Sequence, residues 1–214
     1  MTSESPEIAT AKPPSKGSVK LVMLVIFLDL LGFGIVLPMV PYIAEQPHFA
    51  PDPWIVNTLE ALSLSGGGQA VIVGLLSFCY SFCQFVMAPV WGRLSDRVGR
   101  RPVLIVSMAG YAFAWALFAF APDLNWLLVS RIFAGITAAN IATAQAYMAD
   151  VFPPEKRSKG MGLVGAAFGL GFTLGPPIGA GLMTLGRKLQ DDDLGIALPI
   201  YFAMALSVLA LVFA

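Results

Sequence analysis

Charge is what this chain has least of. Asp, Glu, Lys and Arg make up 12% of its 214 residues, about half the share of an ordinary soluble domain. Histidine occurs once, as His48, and cysteine twice, as Cys79 and Cys83. With so few donors and no clustering of them, no metal centre is expected. A phosphate-binding loop is missing as well, because GQAVIVG at 68–74 lacks the lysine that such a loop needs. An ATP-driven pump is therefore excluded within this chain, and nothing points to soluble enzyme chemistry. The two cysteines lie four apart in an apolar run, too close on one helix for a useful staple, and read as small core residues. A formal net charge of zero gives no sign of a nucleic-acid partner.

What is abundant is apolar. Hydrophobic residues make up 57% of the chain and the mean hydropathy is +0.77, the profile of a membrane protein. Residues 1–18, MTSESPEIATAKPPSKGS, are polar and Pro/Ser-rich, and are expected to be a disordered cytoplasmic tail. The apolar run after them is too long for a signal-peptide core and lacks a small-x-small cleavage site. A bilayer core about 30 Å thick needs about 20 apolar residues per helix. Six segments qualify, at about 20–44, 69–91, 102–121, 126–150, 160–185 and 196–214. The expected fold is all-α: residues 19–214 as one six-helix transmembrane bundle in a lipid bilayer.

Basic residues orient the bundle. Lys12, Lys16 and Lys20 precede the first span, Arg93, Arg97, Arg100 and Arg101 fill the second loop, and Lys156, Arg157 and Lys159 fill the fourth. These ten of the thirteen cations mark one side, so the amino terminus is expected in the cytoplasm. Topology alone accounts for the arginines of GRLSDRVGRRP at 92–102 but not for Asp96, Gly92 or Gly99. An acid among arginines between two helices offers charges that re-pair when helices move.

Two ionisable residues lie inside spans. Asp29 stands nine residues past Lys20, about 13 Å along a helix, and Arg131 six past Asn125, about 9 Å. A central charge costs at least about 2.5 kcal/mol on insertion scales and normally faces a partner or a polar cavity. The two could form a structural pair, could serve proton coupling, or both. Gln145 lies fourteen residues after Arg131, close to four turns, and with Asn140 and Tyr147 makes helix four rich in hydrogen-bonding groups. Helix five carries Gly165 and Gly169 and a second series, Gly171, Gly175 and Gly179, spacings that permit close helix packing. Pro176 and Pro177 in helix five, and Gly32, Gly34, Pro38 and Pro41 in helix one, mark places to bend.

These residues resemble a known family. GRLSDRVGRRP is similar to the helix two–three signature of the major facilitator superfamily, SRIFAGITAAN to the helix-four motif of its proton-coupled members, and GLGFTLGPPIGAGL to its antiporter motif, with Ala180 in place of the final glycine. LDLLGFGIVLPMVP and RIFAGITAANIATAQAYMADVFPPEKRSKGMG further resemble the tetracycline and multidrug efflux branch. The resemblance implies a drug:proton antiporter of the cell inner membrane, exchanging a small-molecule substrate for protons by alternating access, with the proton gradient as its energy source and no cofactor. It implies a cytoplasmic gate made of Gly92, Asp96, Arg97, Gly99, Arg100 and Arg101, with Asp150 pairing with a motif arginine. Asp29 and Arg131 would serve proton or substrate binding, with Asn140 and Gln145 as further candidates, and Gly171, Gly175, Pro176 and Gly179 the antiporter bend. Family members have twelve helices in two bundles, so this chain is expected to be an amino-terminal half, as a fragment, a truncated gene or a half that pairs with a second six-helix bundle. A metabolite transporter and a non-transporting scaffold are the alternative readings. The outer loop at about 45–68 is longer than usual in that branch, with a short helix expected around WIVNTLEAL.

Overall fold

The computed structural model describes residues 16–46, 49–50, 53–61, 68–138, 140–189 and 192–213. Among these, every regular element is helical, and six helical stretches are long and apolar enough to cross a membrane. The expected disordered tail lies almost wholly outside the described residues.

The first span is built from α1 (Lys16–Val36), a 3-10 turn at Leu37–Met39 and α2 (Val40–Ala44). Pro38 and Pro41 sit where the helix type changes, as a missing N–H requires. A short α3 (Pro53–Ala61) follows between the first and second spans. The second span is α4 (Gly68–Val98) and the third α5 (Arg100–Ala119). The sequence reading placed a loop between residues 91 and 102, and the structure corrects it. GRLSDRV continues α4, and Gly99 alone, at φ 96°, connects the two helices. A positive φ is the left-handed region that glycine enters without cost. Pro102 falls in the first turn of α5, where the absent N–H costs nothing.

A second correction concerns the fourth span, read as one helix over 126–150. It is α6 (Leu124–Thr137), capped by the Asp123 carboxylate accepting from Trp126 N–H, and then α7 (Asn140–Val151). Ala138 leaves the helical region at φ −73°, ψ 64°. Backbone carbonyls released inside a membrane need donors, and two side chains supply them. Trp91 Nε1 donates to the Ile136 carbonyl at 2.6 Å and Ser107 Oγ to the Thr137 carbonyl at 2.6 Å.

The fifth span is α8 (Arg157–Leu189), continuous through Pro176 and Pro177, and the sixth is α9 (Asp192–Phe213). Helix α1 packs on α8 and α9, α4 on α6, and α5 on α6 and α9. The main core gathers Ile35, Met39, Trp115, Phe118 and Leu127. Helix α4 turns Phe78, Phe82, Phe85 and Val90 outward.

The two glycine series of α8 separate in space. A Cβ on Gly171 would meet the Leu30 Cβ at 2.9 Å, and one on Gly175 would collide with the Gly34 backbone, so α1 and α8 touch main chain to main chain. Gly165 and Gly169 instead face open space, so the packing role expected of them falls to the other series alone. Overpacking at such a seam costs about 1–3 kcal/mol. Gly175→Ala is therefore expected to lower thermal stability of the detergent-purified protein by that amount, while Gly169→Ala leaves it unchanged or raises it by up to about 1 kcal/mol. Ser107→Ala, which strips the buried Thr137 carbonyl of its donor, is expected to cost about 1–3 kcal/mol in the same melt.

Candidate functional site

Asp29 on α1 and Arg131 on α6 are both buried, each with 8% of its surface exposed. Among the described residues the arginine forms no ion pair. Its guanidinium carbon lies 4.3 Å from the Phe118 ring centroid and 5.0 Å from that of Trp115, both on α5, within the range of cation–π attraction. The structural Asp29–Arg131 pair considered from the sequence is thus not what holds Arg131.

Tyr80 of α4 and Tyr111 of α5 are each within electrostatic reach of both Asp29 and Arg131. The two hydroxyls share a hydrogen bond, and Gln84 is a second partner of Tyr80. Sequence position explains the assembly. Gly135 is one turn beyond Arg131 on the same face of α6, and a Cβ there would meet the Cys83 Cβ at 2.8 Å as well as the Tyr80 carbonyl. The missing side chain lets α6 lie against α4 and brings Arg131 to Tyr80.

A cavity of about 260 Å³ opens beside these residues, walled by Phe33, Leu76, Tyr80, Trp115, Phe118 and Arg131 among others. Phe33 stacks on Tyr80 with ring centroids 5.9 Å apart. The sequence reading missed Tyr80, Tyr111, Trp115 and Phe118. The last three stand at i, i+4 and i+7 of one helix, an aromatic stripe of helical period that marked a shared face. Gln145, expected on the face of Arg131, is exposed and does not line the cavity, because the break at Ala138 interrupts the register between them. Asn140 opens α7, and its side chain lies outside the description.

The second cluster lies at the ends of α4, α5 and α7. Arg100 Nη1 stands 2.8 Å from Asp96 Oδ1 and donates to Ser95 Oγ at 2.6 Å, while Arg100 Nε donates to Asp150 Oδ2 at 3.0 Å. One guanidinium thereby ties three spans. Arg97 and Arg101 are exposed, and Gly92 faces open space. Arg157 Nε donates to the Ala149 carbonyl at 3.1 Å, closing the end of α7. Gly171, Gly175 and Gly179 are the buried seam against α1, with Pro176 between them partly exposed. Among the described residues, no group of three or more His, Cys, Asp or Glu stands close enough to hold a metal ion.

Six apolar spans with ionisable groups buried among them define a multi-pass membrane protein. Residues 22–214 match the Major Facilitator Superfamily, and the chain belongs to that family of transporters. It is 36% identical over 185 residues to "Major facilitator superfamily domain-containing protein 10" of Bos taurus, covering 82% of this chain and 41% of that protein. It is 34% identical over 193 residues to "Tetracycline resistance protein, class E" of Escherichia coli, covering 90% of this chain and 42% of that one. The structure of "the human organic anion transporter MFSD10 (TETRAN)" superposes with a TM-score of 0.76 at 32% identity, over 94% of this chain and 47% of that chain. The chain spans about two fifths of the length of the curated relatives it matches.

Asp96 and Asp150 have exposed side chains, at 63% and 58%, and exposed ion pairs contribute about 0–1 kcal/mol. Asp150→Asn is accordingly expected to shift unfolding of the purified protein by less than about 1 kcal/mol; a larger loss would mark the cluster as part of the fold's support.

Proposed function

We propose that the protein is half of a proton-coupled exporter of drugs, tetracycline-like or of broader range, seated in the cell inner membrane with its amino terminus in the cytoplasm. Its counterpart is a second six-helix bundle, and the two rock about a central site in alternating access. The proton gradient drives the cycle without a cofactor. The observation that carries this reading is the buried group Asp29, Tyr80, Tyr111 and Arg131: an acid and a cation held in the bundle interior, with two hydrogen-bonded hydroxyls in electrostatic reach of both. The tetracycline resistance relatives support drug as the cargo.

The Arg100 cluster is the gate in this scheme. Its ion pairs are few, exposed and cheap to break, which suits a contact remade in every cycle. Helix α8, seated on α1 through Gly171, Gly175 and Gly179 with Pro176 between, forms the antiporter segment beside the proton site.

Asp29→Asn keeps the shape and removes the titratable proton. Proton-driven drug export from cells is expected to fall to the level of untransformed cells, with membrane expression unchanged, and Asp29→Glu is expected to restore part of it. Drug accumulation equal to wild type in Asp29→Asn cells would end the proposal.

A further inference from the structure

A break in a membrane helix needs a cause. The stretch ITAAN at 136–140 has neither proline nor glycine and carries two alanines, the best helix formers, so the local sequence favours a helix that continues. What opens it comes from other helices. Trp91 Nε1 of α4 donates to the Ile136 carbonyl and Ser107 Oγ of α5 to the Thr137 carbonyl, each at 2.6 Å. We infer that the fourth span is a two-state element: broken at Ala138, as observed, or continuous, with these two carbonyls passed from Trp91 and Ser107 to the N–H groups of Asn140 and Ile141. The inference stands apart from the proposed cargo and from its coupling to protons.

Hydrogen-bond bookkeeping brings the two forms close in free energy. In a continuous helix the carbonyl of residue i accepts from the N–H of residue i+4. Ile136 and Thr137 therefore have donors in both forms, and neither carbonyl is left bare in the membrane. The broken form has further support. Thr137 Oγ1 turns back to the Phe133 carbonyl at 3.0 Å and the Ala134 carbonyl at 3.3 Å, a type of bond that bends helices. Gly110 leaves room for Thr137, since a Cβ there would meet the Thr137 Cβ at 2.8 Å. Against it stand the helix propensity of alanine and the first N–H groups of α7, which lose their intrahelical partners at the break.

The two forms differ at both ends of α7. In the broken form α5 grips the span on either side of it, through Ser107 at Thr137 and, two turns earlier on α5, through Arg100, whose Nε donates to Asp150 at 3.0 Å. Closing the break moves α7 onto the axis of α6 and brings Gln145 close to the face of Arg131, fourteen residues and nearly four turns away. The same movement draws Asp150 from Arg100, an exposed pair that is cheap to break. A choice of donor for two carbonyls thereby links the bundle interior to its charged end. Any loss of stability in Ser107→Ala is then the free-energy gap between the two forms.

Hydrogen–deuterium exchange of the full chain in nanodiscs, read by mass spectrometry on peptides covering residues 138–148, tests the inference. The amides that open α7 exchange from the broken form and are protected in the continuous one. Trp91→Phe keeps a ring and removes the donor, and is expected to slow their exchange at least about fivefold, or about 1 kcal/mol. Adding Ser107→Ala is expected to slow it further. Adding Ala138→Gly to Trp91→Phe penalises the continuous helix by a similar amount and is expected to return most of the lost rate. Loss of structure speeds exchange, so the sign separates a switch from damage. Unchanged or faster exchange in Trp91→Phe, or slowing that Ala138→Gly leaves in place, would overturn the inference. Should the variant lacking both donors fail to fold, Trp91→Phe with and without Ala138→Gly decides alone.

Discussion

Hydrocarbon offers no hydrogen bonds, so every main-chain N–H and C=O inside the membrane must find its partner within the protein. That demand makes the spans helical, and it governs the places where they are not. At Thr137–Ala138 the fourth span lets go of its own carbonyls, and two neighbouring helices answer, one through the Trp91 indole and one through the Ser107 hydroxyl. The break is therefore a joint between three spans, and it lies one to two turns from Arg131 on the same helix. Gly110 belongs to this joint, since a Cβ there would meet the Thr137 Cβ at 2.8 Å. The same economy places the glycines of α8 against α1: where no water can be expelled, helices hold together by close contact of small residues.

The polar interior follows from that close packing. Gly135 draws α6 onto α4, and the approach delivers Arg131 to Tyr80. Aromatic rings then hold the guanidinium without neutralising it, a weaker and more reversible grip than a buried carboxylate would give. The result is a cation kept in the membrane interior with bonding capacity to spare.

Much of this was legible in the sequence because the bilayer simplifies the code. Six apolar runs follow from spacing and hydropathy, the burial of Asp29 and Arg131 from their place within those runs, and the family from motifs that resemble its signatures. What escaped depended on contact between segments far apart in the chain. Nothing local distinguishes Gly175, pressed on Gly34, from Gly169, which faces open space. The register from Arg131 to Gln145 assumed an unbroken helix, and the break is sustained by Trp91 and Ser107, 45 and 30 residues from the carbonyls they serve. Charge misled in one place. GRLSDRV looked like a loop because it is polar, yet a helix that has left the membrane can carry arginines as readily as a loop can.

That continuation gives α4 31 residues, a length of about 46 Å against an apolar slab about 30 Å thick. Its length exceeds that slab, and its charged end is joined through Gly99 directly to the next helix. A flexible tether would absorb a small tilt of the bundle. In the rocking cycle proposed above, a lever this long would convert the same tilt into a displacement of Asp96 and Arg100 that grows with distance from the pivot.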